Sequence, residues 1–390
     1  MSESLVYLDH AATTPMRPEA VTAMVAEMGR VGNASSLHAS GRRARRIVEE
    51  SRESIAAALG AQPRDVIFTS GGTESDNLAI KGLYRARVSE DSRRLRILCA
   101  PVEHHAVLDP VEWLAKTQDA EVVWLRVDHL GRVDLESLGA ELALDPESIA
   151  LATVMWANNE VGTVQPIAAI AELCAAAGVP LHVDGVQAVG QLPVDAALVD
   201  SLALSGHKLG GPHGVGALVL RQGINLVPLQ HGGGQERDIR SGTLDTPAIA
   251  SLAAAITAAV GDRDSRGAQT LALRDDLVRR VLGSIPGVSR NGDPINSLPG
   301  IANLSFEGCE GDALLLLLDA AGIECSRGSA CTAGVPQPSH VLLAMGLDPL
   351  TARGSLRFSL GYTSTQADID CLVEVLPSIV KRARRAGSAR

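Results

Sequence analysis

Leu202-Ala203-Leu204-Ser205-Gly206-His207-Lys208-Leu209-Gly210-Gly211-Pro212 is an apolar strand that runs into a turn of small residues. The turn carries one of four lysines (Lys81, Lys116, Lys208 and Lys381) in a chain with 35 basic residues. Arginine supplies the others, so where a plain positive charge suffices this chain uses a guanidinium. A lysine set among glycines and a histidine points instead to a need for a primary amine. An amine can condense with an aldehyde, which a guanidinium cannot do. An ordinary surface lysine is the alternative, and the apolar strand leading into it argues against that.

Similar short apolar runs lie on either side: Val66–Phe68, Ile97–Ala100, Val122–Leu125, Ala150–Met155, Leu181–Val183 and Gly216–Leu220. Helical patterns fall between them, at Glu74–Arg85, Ala106–Thr117 and Pro166–Ala177. Alternating strands and helices predict an α/β domain around a mostly parallel sheet. Ligands of such sheets bind beyond the carboxyl ends of the strands. After about residue 260 helical stretches (267–282, 311–321, 338–345, 365–385) surround strands at 301–305 and 355–360, which predicts a smaller α+β domain. The expected division is a large domain over 15–260 and a small one formed by 1–14 and 261–390. The Ala-rich run Ala248–Val260 is too short to span a bilayer and predicts a buried helix.

The net charge of −10 disfavours nonspecific binding to nucleic acid. The basic tail from Lys381 to Arg390 reads as a solvated helix end or as a contact for an acidic partner. Met1–Thr14 has neither a basic region nor an apolar run, so no signal peptide is expected. The six cysteines, Cys99, Cys174, Cys309, Cys325, Cys331 and Cys371, show no CxxC spacing. That pattern suits neither a disulfide scaffold nor a zinc site, and a reducing cytoplasm is the expected compartment, with no metal.

Other strand ends carry polar residues suited to one chemistry. Thr69-Ser70-Gly71-Gly72-Thr73-Glu74 follows a strand and opens a helix, so its backbone N–H groups can approach an anion. Simple capping by Thr73, with Asp76 at the capping-box position, is the competing explanation. Leu181-His182-Val183-Asp184 ends a strand in an acid. A buried Asp184 needs hydrogen bonds or a cation, and a protonated pyridine nitrogen is such a cation. Together with Lys208 these are the parts of a fold type I enzyme that uses pyridoxal 5'-phosphate. Ser205 and His207 can donate to its phosphate. His104 can stack on its ring, and Asn159 and Gln187 can bond its phenolic oxygen, with ordinary turn hydrogen bonding the alternative for all three. Arg357, in the strand Ser355-Leu356-Arg357-Phe358-Ser359, can grip a carboxylate with two parallel hydrogen bonds or serve a structural ion pair. Cys331 sits among small residues in Arg327-Gly328-Ser329-Ala330-Cys331-Thr332, a setting for a reactive thiolate, with Arg327 able to lower its pKa and an inert thiol as the alternative. Cys325 follows a strand-like segment and is expected to be buried.

In order along the chain these motifs resemble the cysteine desulfurases of the iron–sulfur-cluster-assembly type, within the class V aminotransferases. The resemblance runs from Tyr7-Leu8-Asp9-His10-Ala11-Ala12-Thr13 through Glu103-His104, Asn158-Asn159-Glu160 and Ser205-Gly206-His207-Lys208. It continues through His231-Gly232-Gly233-Gly234-Gln235-Glu236 and Arg240-Ser241-Gly242-Thr243 to Cys331 and Arg357-Phe358-Ser359. It implies that Gly72, Thr73, Ser205 and His207 contact the cofactor phosphate, and that Thr243 reaches the phosphate of the neighbouring subunit in a homodimer. It implies that His104 is the ring-stacking and acid–base histidine and Lys208 the residue bonded to the cofactor. By the same likeness Arg357 clamps the substrate carboxylate and Cys331 carries the sulfur as a persulfide on a long loop.

The implied activity takes L-cysteine to L-alanine, handing sulfur to an iron–sulfur scaffold protein or to other acceptors such as a tRNA-thiolation enzyme. Two departures stand out. Asn33-Ala34-Ser35-Ser36 replaces a common Asn-Pro-Ser-Ser near the expected substrate mouth, where Asn33 is a candidate substrate contact. Arg327 replaces a small hydroxyl residue. The competing readings are a related lyase or aminotransferase such as a selenocysteine lyase, which needs no loop cysteine, and a non-catalytic sulfur-transfer scaffold.

Overall fold

A computed structural model describes residues 5–328 and 337–387. Its centre is a seven-stranded sheet. In spatial order the strands are Val66–Thr69, Gly216–Leu220, Ser201–Ser205, Leu181–Asp184, Ile149–Thr153, Arg96–Cys99 and Glu121–Trp124. Only Gly216–Leu220 runs antiparallel to its neighbours. The α/β expectation therefore holds, and the central strands are buried on both faces, as their unbroken apolar runs require.

Helices cover both faces. Gly72–Glu90 and His105–Thr117 follow the strands that feed them, and the Ala-rich run is the helix Thr246–Gly261, buried along one side. Two further helices, Pro18–Met28 and Ala39–Leu59, come before the first sheet strand. The second is dense in arginine and so lacks an apolar run. Its buried stripe is Ala44, Val48, Ile55, Ala56 and Leu59, at helical spacing.

A second core forms around the antiparallel strands Val288–Asn291, Ile301–Phe306 and Ser355–Ser359, packed by the helices Arg263–Ser284 and Gln366–Gly387. The edge strand Val288–Asn291 is polar and has no apolar signature. Val6 and Leu8 at the N-terminus join this core, and Val6–Tyr7 pairs in parallel with Ile323–Glu324. The helix His340–Ala344 packs on the large core instead, through Val341 and Leu342. Both cores are filled mainly by aliphatic side chains, each worth about 1.5–3 kcal/mol when fully buried. Among the described residues no helix is long and apolar enough to cross a membrane. None of their His, Cys, Asp and Glu side chains form a group of three or more able to hold a metal ion.

Candidate active site

The strands Leu181–Asp184 and Ser201–Ser205 are parallel neighbours, with Asp184 opposite Ala203. Their carboxyl ends open on a cavity of about 550 Å³. Gly72, Thr73, His104, Asn159, Asp184, Gln187, Ser205, His207, Lys208 and Arg357 all line it. Ten residues expected at one site thus converge from two cores and from distant parts of the chain.

Asp184 is 6% exposed, and its Oδ1 accepts the N–H of Val186 at 2.9 Å. Burial, helped by the nearby Asp76, raises its pKa to about 7, while His104 pulls the other way. Such a carboxyl gains from a cation in the cavity, which would restore its ionised form. Lys208 stands on the short 3₁₀ turn Gly206–Lys208. Its Nζ donates to the carbonyls of Ala11 and Ala12 at 2.6 and 2.8 Å. Burial, with Arg357 nearby, lowers its pKa to about 8, against the pull of Asp9 and Asp184. The neutral amine, the form that reacts with an aldehyde, is therefore reached near pH 8 rather than above pH 10. Gln187 donates its Nε2 to the same Ala11 carbonyl at 2.9 Å.

The helix Gly72–Glu90 presents its N-terminus to the cavity beside Ser205. A Cβ on Gly72 would lie 2.7 Å from the Val186 side chain, so the helix start can approach this closely only as glycine. The capping explanation for this turn is overturned. Gly71 is the N-cap, at φ 154°, and Thr73 already lies in the first helical turn. The acid that returns to the turn is Glu74, which accepts the Ser70 N–H at 2.7 Å and pairs with Arg240 at 2.7 Å. Asp76 is buried instead, with its Oδ1 3.2 Å from Nε2 of His182.

His207 and His213 stack with ring centres 5.1 Å apart, and both rings bond Oγ1 of Thr13, at 3.3 and 3.2 Å. His213 was not expected at the site. It lies in the Gly211-Pro212-His213-Gly214 turn that closes the lysine motif, and that position was its only signal. His104 has its Nδ1 accepting the N–H of Ala106 at 3.1 Å, which caps the helix it precedes. Burial lowers its pKa, so the ring is neutral at pH 7 and carries its proton on Nε2.

Arg357 is 4% exposed. Its Nη1 donates to the Asn159 carbonyl and its Nη2 to Asp9, each at 2.8 Å, while the buried Nε has no partner among the described residues. An ion pair with Asp9 holds the guanidinium, and the residue lines the cavity.

Two expected residues are not brought to this cavity. Asn33 is exposed, with its Oδ1 accepting the Ser35 N–H, and Thr243 is exposed outside the cavity. Cys331 lies outside the described residues. At the edges of its segment, Arg327 is buried and bonded to Asp312 at 2.7 Å and to the Gln337 carbonyl at 3.0 Å. Its charge is thus matched by Asp312. Cys325 is buried as expected, and burial pushes its thiol up to about 12.

Residues 6–372 match the model of the aminotransferase class-V family. An IscS-like cysteine desulfurase of Mycobacterium tuberculosis is 56% identical over 99% of this chain and 98% of its own length. A solved NifS-like protein superposes with a TM-score of 0.89 at 34% identity, covering 97% of this chain and all of that one. A structure described as SspA in complex with cysteine is 34% identical, with a TM-score of 0.79 over 92% of this chain and 99% of that one. With the α/β sheet, the cavity at its strand ends and these likenesses all in agreement, the chain belongs to the aminotransferase class-V family.

Proposed function

We propose that this chain is a cysteine desulfurase that uses pyridoxal 5'-phosphate to take L-cysteine to L-alanine, with the sulfur passing to Cys331. The observation that carries it is the meeting of Lys208, Asp184 and Arg357 in one cavity. The residues fit the cofactor: Asp184 suits a protonated ring nitrogen, Lys208 an aldehyde, and the Gly72 helix start with Ser205 and His207 a phosphate. Bound there, pyridoxal phosphate supplies an aldehyde for the amine and a ring that takes up electrons.

The chain's own groups do the rest. Arg357, which lines the cavity, offers its guanidinium to the substrate carboxylate while Asp9 holds it in place. Lys208 Nζ, its pKa lowered to about 8, accepts the Cα proton in its neutral form. His104 works as a donor through Nε2. The Cys331 thiolate attacks the substrate sulfur: the S–S bond forms, the Cβ–S bond breaks, and its electron pair stays with carbon, which is protonated to give alanine. The persulfide then serves iron–sulfur assembly through a scaffold protein, with tRNA thiolation as a second outlet.

In this reading the enzyme is a cytoplasmic homodimer. The exposure of Thr243 supports its reaching across to a second copy. The large domain spans 15–260, and residues 1–14 and 261–390 form the small one. Mass spectrometry after incubation with L-cysteine tests the proposal. One added sulfur on Cys331, with stoichiometric alanine, is expected. Cys331→Ser keeps the cofactor's visible absorbance and loses sulfide release, and full activity in that variant overturns the persulfide route.

A further inference from the structure

His340 lines the cavity but belongs to none of the motifs above. It follows Ser339, whose Oγ accepts the Leu342 N–H at 3.2 Å and so caps the helix His340–Ala344. The same Ser339 hydroxyl donates to Oε2 of the buried Glu160 at 2.6 Å. These two bonds fix where His340 begins. Its Nε2 lies 2.9 Å from the carbonyl oxygen of Glu103. A carbonyl only accepts, so Nε2 carries the proton and donates it.

That carbonyl belongs to the peptide joining Glu103 to His104. Two further bonds hold the same turn: Met155 N–H to Glu103 Oε1 at 2.6 Å, and Asn158 Nδ2 to the Val102 carbonyl at 2.9 Å. Both come from the large core, from the chain just after the strand Ile149–Thr153. The tie from His340 is different. It comes from the chain that leaves the Cys331 segment, nine residues beyond that cysteine. Its ring also meets His105 edge-on, with centres 5.3 Å apart.

We propose that His340 is a positioning residue for His104, holding the Glu103–His104 peptide so that the His104 ring faces the cavity with Nε2–H as donor. It acts through the peptide and need not touch the substrate. The role rests on the function proposed above, while the geometry it predicts is readable without turnover.

His340→Ala and His340→Gln test it. In glutamine, Nε2 lies as many bonds from Cα as in histidine, so the donor is retained. Ring ¹⁵N shifts of His104 are read in the holoenzyme, alongside kcat and KM for L-cysteine. In His340→Ala the His104 signals are expected to move and kcat to fall by between about ten- and a hundred-fold. KM stays within about two-fold. In His340→Gln both the signals and kcat return most of the way. Unmoved His104 signals with native kcat in the alanine variant overturn the proposal, as does a glutamine variant as impaired as alanine. If the alanine variant does not fold, His340→Leu, which fills the space without a donor, is read in its place. A protein that binds no cofactor yet shows the His104 shift would sink the function and leave the tie intact.

Discussion

Asp9 Oδ1 lies 2.8 Å from Nη2 of Arg357, which is 4% exposed, and so sets the charge felt by the amine of Lys208 as well. Asp9 raises the Lys208 pKa, and Arg357 lowers it. Asp9→Asn removes the anion and leaves the guanidinium less balanced. Both effects favour the neutral amine, so the pKa falls below about 8. Only the neutral amine combines with an aldehyde. The pH at which cofactor-free protein takes up pyridoxal phosphate at half its maximal rate should therefore move down. An unmoved or raised midpoint contradicts this coupling.

Lys208→Arg isolates the need for an amine from the need for a charge. The guanidinium can still reach toward the Ala11 and Ala12 carbonyls that Lys208 holds. It cannot bond an aldehyde. The variant should melt near the native temperature, lose its visible absorbance on dialysis, and lose activity by about a thousand-fold or more. Retained colour after dialysis would show that another group holds the cofactor.

Lys208 and Asp184 were legible because each ends an apolar strand, and the strand ends of a parallel sheet share one edge. Arg357 was legible as a charge in an otherwise apolar strand, though its partners Asp9 and Asn159 were not, since they come from distant segments. Thr73 and Asp76 misled as a capping pair because a glycine at φ 154° lets the helix begin earlier than the hydroxyl suggests. The helix Ala39–Leu59 hid behind its arginines, and the strand Val288–Asn291 behind its polarity. His213 and His340 reach the cavity only through tertiary packing, which leaves no local pattern to read.

Burial imposes a pH dependence on stability that single variants can separate. Burial lowers the pKa of both His10 and His182 from 6.5 to about 4. Above 6.5 each is neutral folded and unfolded, and contributes no slope. Between 6.5 and about 4 the unfolded chain binds protons that the folded one refuses, so stability falls as pH falls. Each group contributes up to about 1.4 kcal/mol per pH unit in that window. His182→Gln should show a shallower loss between pH 6.5 and 4 in urea unfolding, and parallel curves for variant and native would contradict the assignment.

Glu103 works in the opposite direction. It is fully buried, its Oε1 takes the Met155 N–H at 2.6 Å, and its Oε2 has no partner among the described residues. Burial, with Asp184 and Asp76 nearby, raises its pKa well above 4.5. The folded chain keeps this proton after the unfolded chain has released it. The stability it contributes is therefore complete below 4.5 and drains away as pH rises toward the folded value. Glu103→Gln keeps an acceptor for Met155 and a donor at the other position, with no proton to lose. Its stability relative to the native chain should grow with pH above 4.5, by up to about 1.4 kcal/mol per unit. Because Asp184 keeps its environment, activity should stay within about three-fold of native. A variant that loses stability relative to native as pH rises would mean that Glu103 is ionised in the fold and that a cation in the cavity pays for its charge.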